Sequence, residues 1–324
     1  MAEKINSKEA EKQVEMRRRT FVKAGLATLG RPRLAWAQSS YVRIGGGTPG
    51  GAFYVCAGAV SRLLEAAGMS PRVQTTGGGR QNAILLHRNE LDIGFVYNID
   101  AVQSASVEGR EDIRSIIPFF NSIHHFVVRA DKPIHSLPDL NGQRFGLANR
   151  GSTHDAAARQ VFDILGVRPR YQNAGKGDTN NMIKDGLLAG FFATAGVPMP
   201  SILELQTTLD LRFLSFTDAE YAEIKRQAPW LLEDIITPEL YNGLDTPLKS
   251  FSSVSVLMAN KTIPDELVYN IADICYSSVD TIKRTYRAAE VDAGQLDRLV
   301  IPLHPGAEAY YRDNGIEIPA GLTA

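Results

Sequence analysis

The stretch Tyr41-Val42-Arg43-Ile44-Gly45-Gly46-Gly47-Thr48-Pro49-Gly50-Gly51-Ala52-Phe53-Tyr54 sets the fold class. Tyr41–Ile44 has the composition of a short strand, and Gly45–Gly51 is a glycine-rich loop. Beyond it Phe53, Cys56, Val60, Leu63, Leu64 and Ala67 fall on one face of a helix that Gly68 stops. The same unit follows again: strand Arg72–Thr76, a second glycine loop at Gly77-Gly78-Gly79, helix Gln81–Asn89, and the apolar strand Asp92–Tyr97. Repeated strand–helix–strand units imply a parallel sheet covered by helices.

The alternation breaks at Ile116–Ala130, where two β-rich runs are joined by Asn121-Ser122 with no helix between them. It restarts with strand Arg144–Leu147, loop Ala148–Thr153, helix His154–Leu165 and strand Arg170–Gln172. Helix Asn180–Leu188, strand Phe191–Ala195, helix Pro200–Thr207 and strand Leu211–Phe216 follow. A second β-rich run, Phe251–Met258, leads into a long helix expected over Pro264–Arg287. Two such crossings predict two α/β lobes linked by two strands, which act as a hinge for the cleft between them.

The chain has 324 residues, 44% hydrophobic and 22% charged, which suits two globular α/β units and argues against disorder. Its net charge of −1 provides no global field for nucleic acid or an anionic membrane. That value averages two unlike pieces. Residues 1–37 hold 9 Lys+Arg and 4 Asp+Glu, a net of +5, which leaves 26 Lys+Arg and 32 Asp+Glu, a net of −6, for the remainder. Arg17-Arg18-Arg19-Thr20-Phe21-Val22-Lys23, a short apolar run from Ala24 to Leu29, and Ala35-Trp36-Ala37 have the layout of a twin-arginine export signal cut after Ala37. Arg31-Pro32-Arg33 interrupts the apolar run, which is shorter than usual. No stretch approaches the ~20 apolar residues of a membrane span. A periplasmic protein is expected.

Cys56 and Cys275 lie in separate helical segments, so free buried thiols are expected, although export permits a disulfide. His124-His125 sits in a strand-like run, where neighbouring side chains point to opposite faces and cannot chelate one ion. Asp92, Asp100 and Asp178 are separate in sequence and show no local carboxylate pairing of a hydrolase. His304, between prolines, has a structural character, while His154 opens a helix as either a ligand contact or a solvated end. Gly45, Gly47 and Gly50 form a literal G-x-G-x-x-G, yet the next strand closes on Gln74-Thr75-Thr76 without the acid that would hold a ribose. No cofactor and no metal are expected. The loops Gly45–Gly51, Thr76–Gly79 and Ala148–Thr153 stand at carboxyl ends of strands ahead of helices, a placement that suits a carboxylate or other small anion.

The order of motifs resembles the TAXI family, the extracytoplasmic solute receptors of TRAP transporters. The resemblance rests on the first glycine loop, Thr76-Gly77-Gly78-Gly79-Arg80-Gln81-Asn82, Leu91-Asp92-Ile93-Gly94-Phe95-Val96, Leu137-Pro138-Asp139-Leu140-Asn141-Gly142, Gly151-Ser152-Thr153, Ala195-Gly196-Val197-Pro198 and Ile301-Pro302-Leu303-His304-Pro305-Gly306-Ala307. It implies a type II periplasmic-binding-protein fold, in which two α/β lobes joined by a two-strand hinge close on a small anionic or zwitterionic solute. Lobe 1 would hold residues 38–128 and 256–324, and lobe 2 residues 129–255. A monomer that docks on TRAP membrane permease subunits, without catalysis, is what the family leads one to expect. Gly47, Thr48, Phe53, Tyr54, Thr76, Gly77, Gly78, Asn82, Ser152 and Thr153 would line the cleft, faced by Gly196 and Pro198.

The family commonly has Ser where Gly79 stands and an acid where Gln81 stands, and Leu188-Ala189-Gly190-Phe191 replaces an Ile-Asp-Ala run. Arg80 and Arg150 lie in the loops, where a guanidinium can clamp a carboxylate in bidentate fashion. Loss of an acid and gain of a guanidinium both favour a more anionic ligand. An exported nucleotide-cofactor enzyme and a periplasmic sensor subunit for a signalling kinase are the alternative readings.

Overall fold

The computed structural model describes residues 41–323 apart from Gly50 and Arg110, and for Lys176 the backbone only. The expected export segment, residues 1–37, and Gly50 of the glycine motif therefore lie outside the described residues.

Strand β1 (Tyr41–Gly47) runs parallel to β2 (Ser70–Thr75) and to β3 (Ile93–Tyr97). Between them lie α1 (Ala52–Ala66) and α2 (Gly79–His87). On α1 the buried residues Phe53, Cys56, Ala57, Val60 and Leu64 recur every three or four positions, and that stripe docks the helix on the sheet. All five residues of β3 are buried, which is the burial of a strand covered on both faces. Helix α3 (Asn98–Glu108) follows directly and ends on Gly109 in the left-handed conformation.

Strand β4 (Ile113–Arg129) is one continuous strand of 17 residues. The turn expected at Asn121-Ser122 does not form, because both residues pair across to β10 (Leu248–Asn260), Asn121 with Val254 and Ser122 with Ser253. The second half holds β5 (Arg144–Leu147), α4 (Thr153–Ile164), β6 (Arg170–Asn173), α5 (Lys176–Lys184), β7 (Gly190–Ala195), α6 (Pro200–Gln206), β8 (Leu211–Phe213), α7 (Asp218–Gln227) and β9 (Leu232–Ile236). Helices α8 (Asp265–Ser277), α9 (Val279–Thr285) and α10 (Pro305–Asp313) close the chain. The sheet order is β2-β1-β3-β10-β4-β7-β5-β6, with β8 on β4 and β9 on β10.

Strands β4 and β10 thus belong to both halves. Over Ile113–Ile123 β4 pairs with β10, and over Ile123–Val128 it pairs with β7. Strand β10 pairs with β9 over Leu248–Ser252 and with β3 over Ser255–Ala259. One face of the crossing carries Phe120, Ser122, His124 and Phe126, and the other carries Ile123, His125 and Val127, as the two-residue period of a strand requires. The second face buries Ile123 and Val127 with Ile183, Leu188, Ile202 and Leu205 of α5, α6 and their flanks.

Three local differences from the sequence reading have plain causes. The long C-terminal helix is two helices, because Ser278 leaves helical geometry with φ −122° and its carbonyl starts the next turn by accepting from Thr281 N. Helix α5 ends before Leu187, because Gly186 turns left-handed at φ +71°. Helix α7 had a legible start that periodicity alone overlooks: Thr217 and Glu220 form a reciprocal capping box. Cys56 and Cys275 are both free and buried, and burial raises both thiols, Cys275 to about 12.

Candidate functional site

The glycine loops are tied to each other through two buried polar side chains. Thr76 Oγ1 accepts from Gly47 N at 3.0 Å and from Gly78 N at 3.2 Å, and donates to Asn82 Oδ1 at 2.6 Å. Asn82 Nδ2 donates to the carbonyls of Gly45 at 3.2 Å and Phe95 at 2.9 Å, so it pins both loops to β3. Gly47 at φ +84° and Gly78 at φ +106° make the turns that let these main chains approach. Thr76 and Asn82 therefore act first as braces of the loops. Gly77 N donates to Gln81 Oε1 at 2.6 Å, while Thr48, Tyr54, Gly77 and Arg80 stand exposed at the rim.

Beneath the loops Phe53 is buried, with its ring 4.7 Å from that of Tyr97 and 5.9 Å from that of Phe120. Beside it lies Asp100 in the first turn of α3, 1% exposed. Its Oδ2 accepts from Thr153 Oγ1 at 2.7 Å. A Cβ on Gly79 would stand 2.3 Å from the same oxygen, so the carboxyl fits there only because position 79 is glycine. Burial pushes the Asp100 carboxyl up to about 7, against the opposing pull of the Thr153 hydrogen bond and the Arg80 charge. The starts of α2 and α4 consequently meet the start of α3 at one buried acid.

Ser152 caps α4, its side chain accepting from Asp155 N at 3.2 Å. Arg150 is exposed, as Arg80 is, whereas the His154 ring turns inward to 5.7 Å from Tyr97. After β7, half-buried Gly196 is pressed against the segment that follows α9, where a Cβ would lie 2.6 Å from Ala288 Cβ. Pro198 is exposed and follows a cis peptide bond. His304 is structural, as expected: it is fully buried and Nδ1 accepts from Gly306 N at 3.2 Å at the start of α10.

The strand face below these helices is polar at its centre. Tyr97 Oη and Ser122 Oγ are 3.1 Å apart, and His124 Nε2 is 3.2 Å from Ser253 Oγ. Thr194 of β7 lies directly opposite His124, and Ser255 of β10 opposite Phe120 and Tyr97. Burial, with His154 and His125 nearby, pushes His124 down to about 3, so its ring is neutral. On the reverse face His125 Nε2 is 3.0 Å from Tyr241 Oη, so the two histidines point apart and serve different surroundings. Asp100 and His124 are visible in the sequence only as an isolated carboxylate and an unsuitable metal ligand, and Tyr97, Thr194 and Ser253 carry no local mark of a site. The available signal was Ser250, Ser252, Ser253 and Ser255 within a strand otherwise rich in valine, leucine and phenylalanine.

A model of the NMT1-like family matches residues 44–315. The chain belongs to the NMT1-like family. Among solved structures it is similar to XAC2383 from Xanthomonas citri bound to ATP, at 15% identity and a TM-score of 0.54, covering 85% of this chain and 99% of that one. It is also similar to a TctC solute-binding protein from Polaromonas, at 15% identity and a TM-score of 0.52, covering 86% of this chain and 100% of that one. The periplasmic aliphatic sulphonate-binding protein SsuA from Escherichia coli matches at 13% identity and a TM-score of 0.46, over 88% of this chain and 96% of that one. The fold of this NMT1-like chain is that of type II periplasmic binding proteins, α/β halves sharing the strands β4 and β10. Among the described residues no group of three His, Cys, Asp or Glu side chains is placed to hold a metal ion, and no helix is long and apolar enough to cross a membrane.

Proposed function

We propose that this chain is an extracytoplasmic solute receptor of a TRAP-type importer of the TAXI kind. It binds a small carboxylate or amino acid in the cleft between its halves and delivers it to membrane permease subunits. The observation that carries this reading is the convergence at Asp100, where Thr153 of one half bonds an acid of the other above strands common to both. Residues joined in that way separate and rejoin as the halves rock about β4 and β10, and a solute held by both halves favours the closed state. The lobes are residues 38–128 with 256–324, and 129–255, and the long strands change partners a few residues before each expected limit, at Ile123 and Ser252.

In this reading Phe53 and Tyr54 supply apolar walls, and the hydroxyls of Thr48 and Ser152 hold the polar end of the solute, because the N–H groups of Gly47, Gly77 and Gly78 are already donated within the loops. Arg80 and Arg150 stand at the exposed rim, in position to meet a carboxylate as the cleft shuts. The chain works as a monomer in the periplasm, and binding involves no chemical step. A nucleotide reading draws on the G-x-G-x-x-G loop and on the ATP of the Xanthomonas citri structure. Against it, no acid closes β2 to hold a ribose.

Native mass spectrometry of the purified protein exposed to a mixture of small carboxylates and amino acids tests the proposal. The expected result is one added mass of solute size. A bound nucleotide, or no added mass with any solute, overturns it.

A further inference from the structure

We propose that His124, Thr194, Ser253 and Ser255 form a second recognition patch on the floor of the cleft. It would take an uncharged hydrogen-bonding group, a hydroxyl or carbonyl, on the part of the solute remote from the glycine loops. This inference rests on the receptor reading and specifies what the far end of the solute must carry.

Three of these side chains are buried with a polar atom that finds no hydrogen-bond partner among the described residues: His124 Nδ1, Thr194 Oγ1 and Ser255 Oγ. His124 is 1% exposed, Thr194 4% and Ser255 fully buried. Buried polar atoms are almost always satisfied, so several on one face identify a place where an outside group completes the bonding. They share a face by register, since His124 is paired with Thr194, Ser253 with Ser122, and Ser255 with both Phe120 and Tyr97. Ser253 Oγ, 3.2 Å from His124 Nε2, engages one ring nitrogen and leaves Nδ1 for another partner. Phe192, with its ring centroid 5.2 Å from that of His124, holds the other side.

The chemistry of the patch selects the class of group. A neutral imidazole and three hydroxyls donate and accept but carry no charge, and no Asp, Glu, Lys or Arg occurs on this face between Phe120 and Phe126, Phe192 and Thr194, or Phe251 and Ser255. A charged group set here would be desolvated without compensation, whereas a hydroxyl or carbonyl completes the bonds of its neighbours. The ionisable end of the solute is thereby directed upward, to the helix starts around Asp100 and the rim arginines.

The test uses the full chain and matched solute pairs that differ by one uncharged polar group: malate against succinate, 2-oxoglutarate against glutarate, and serine against alanine. Affinities come from thermal-shift titrations of the wild type, Thr194→Val and His124→Phe. Thr194→Val keeps volume and removes only an unsatisfied atom, so that free protein is expected to melt at or above the wild-type temperature. His124→Phe is larger and also takes Nε2 from Ser253, so it is expected to melt lower and its preference is read from affinity ratios within each pair. In at least one pair the hydroxylated or oxo member should bind the wild type roughly tenfold more tightly, and each variant should erase that preference. Equal affinity within every pair, or variants that discriminate as the wild type does, overturns the patch while leaving a receptor that binds solute. No shift with any of the six compounds overturns both the patch and the receptor reading.

Discussion

Asp100→Asn is expected to make the protein more stable at pH 8 by on the order of 4 kcal/mol, and by under half of that at pH 5. The sign follows from burial. In the unfolded chain Asp100 takes its ordinary value of 3.8, and in the folded protein it is pushed up to about 7. Between those values the folded state holds the proton and the unfolded state does not. Stability therefore falls as pH rises from about 4 to about 7, and is level above that range. Arg80, exposed at the start of α2, offsets this only in part, and Thr153 contributes one hydrogen bond. The Tyr97 hydroxyl is another titratable group close enough to interact with Asp100. Asparagine keeps an acceptor for Thr153 Oγ1 and removes the buried charge. Urea unfolding of both proteins at pH 5 and pH 8 checks the difference. An advantage that does not grow with pH would show that the carboxyl is solvated or paired in solution.

Gly190→Ala should destabilise the protein by about 3 kcal/mol or more, because no rearrangement of a flexible side chain can accommodate the methyl group. Gly190 opens β7 between β4 and β5, with Val128 and Phe145 as its cross-strand partners. A Cβ there would stand 2.4 Å from the Val127 carbonyl oxygen, 2.6 Å from Val128 Cγ1 and 2.9 Å from Phe145 Cε2. The nearest atom belongs to the backbone of the longest strand, so relief requires β7 to move away from β4. That displacement would also shift Thr194 from its place opposite His124. Equilibrium unfolding measures the loss, and a change below about 1 kcal/mol would contradict the close packing of these strands.

The sequence made the parallel strand–helix units and the glycine loops legible, because both depend on local spacing. It also separated His124 from His125 correctly, since side-chain alternation in a strand needs no knowledge of the tertiary structure. The continuity of β4 was not legible. Asn121-Ser122 has the composition of a turn, and only pairing with Val254 and Ser253, more than a hundred positions away, holds it extended. Asp100 reads in the sequence only as an isolated carboxylate, for a similar reason. Its partner Thr153 is 53 positions away, and an isolated acid amid Asn98-Ile99 and Ala101-Val102 carries no local sign that it is buried. The loop arginines drew notice through their charge. They stand exposed, while the buried ionisable group beneath the loops is an acid.

The central claim is reversible capture of a small solute without chemistry. Isothermal titration of the full chain with the compound that stabilises it most, followed by mass spectrometry of the recovered compound, tests this most directly. The account predicts saturable binding of one solute per chain, the compound recovered unchanged, and stabilisation of about 2.7 kcal/mol at 100 times the dissociation constant. A compound recovered chemically altered, or the absence of binding heat across carboxylates and amino acids, would contradict it.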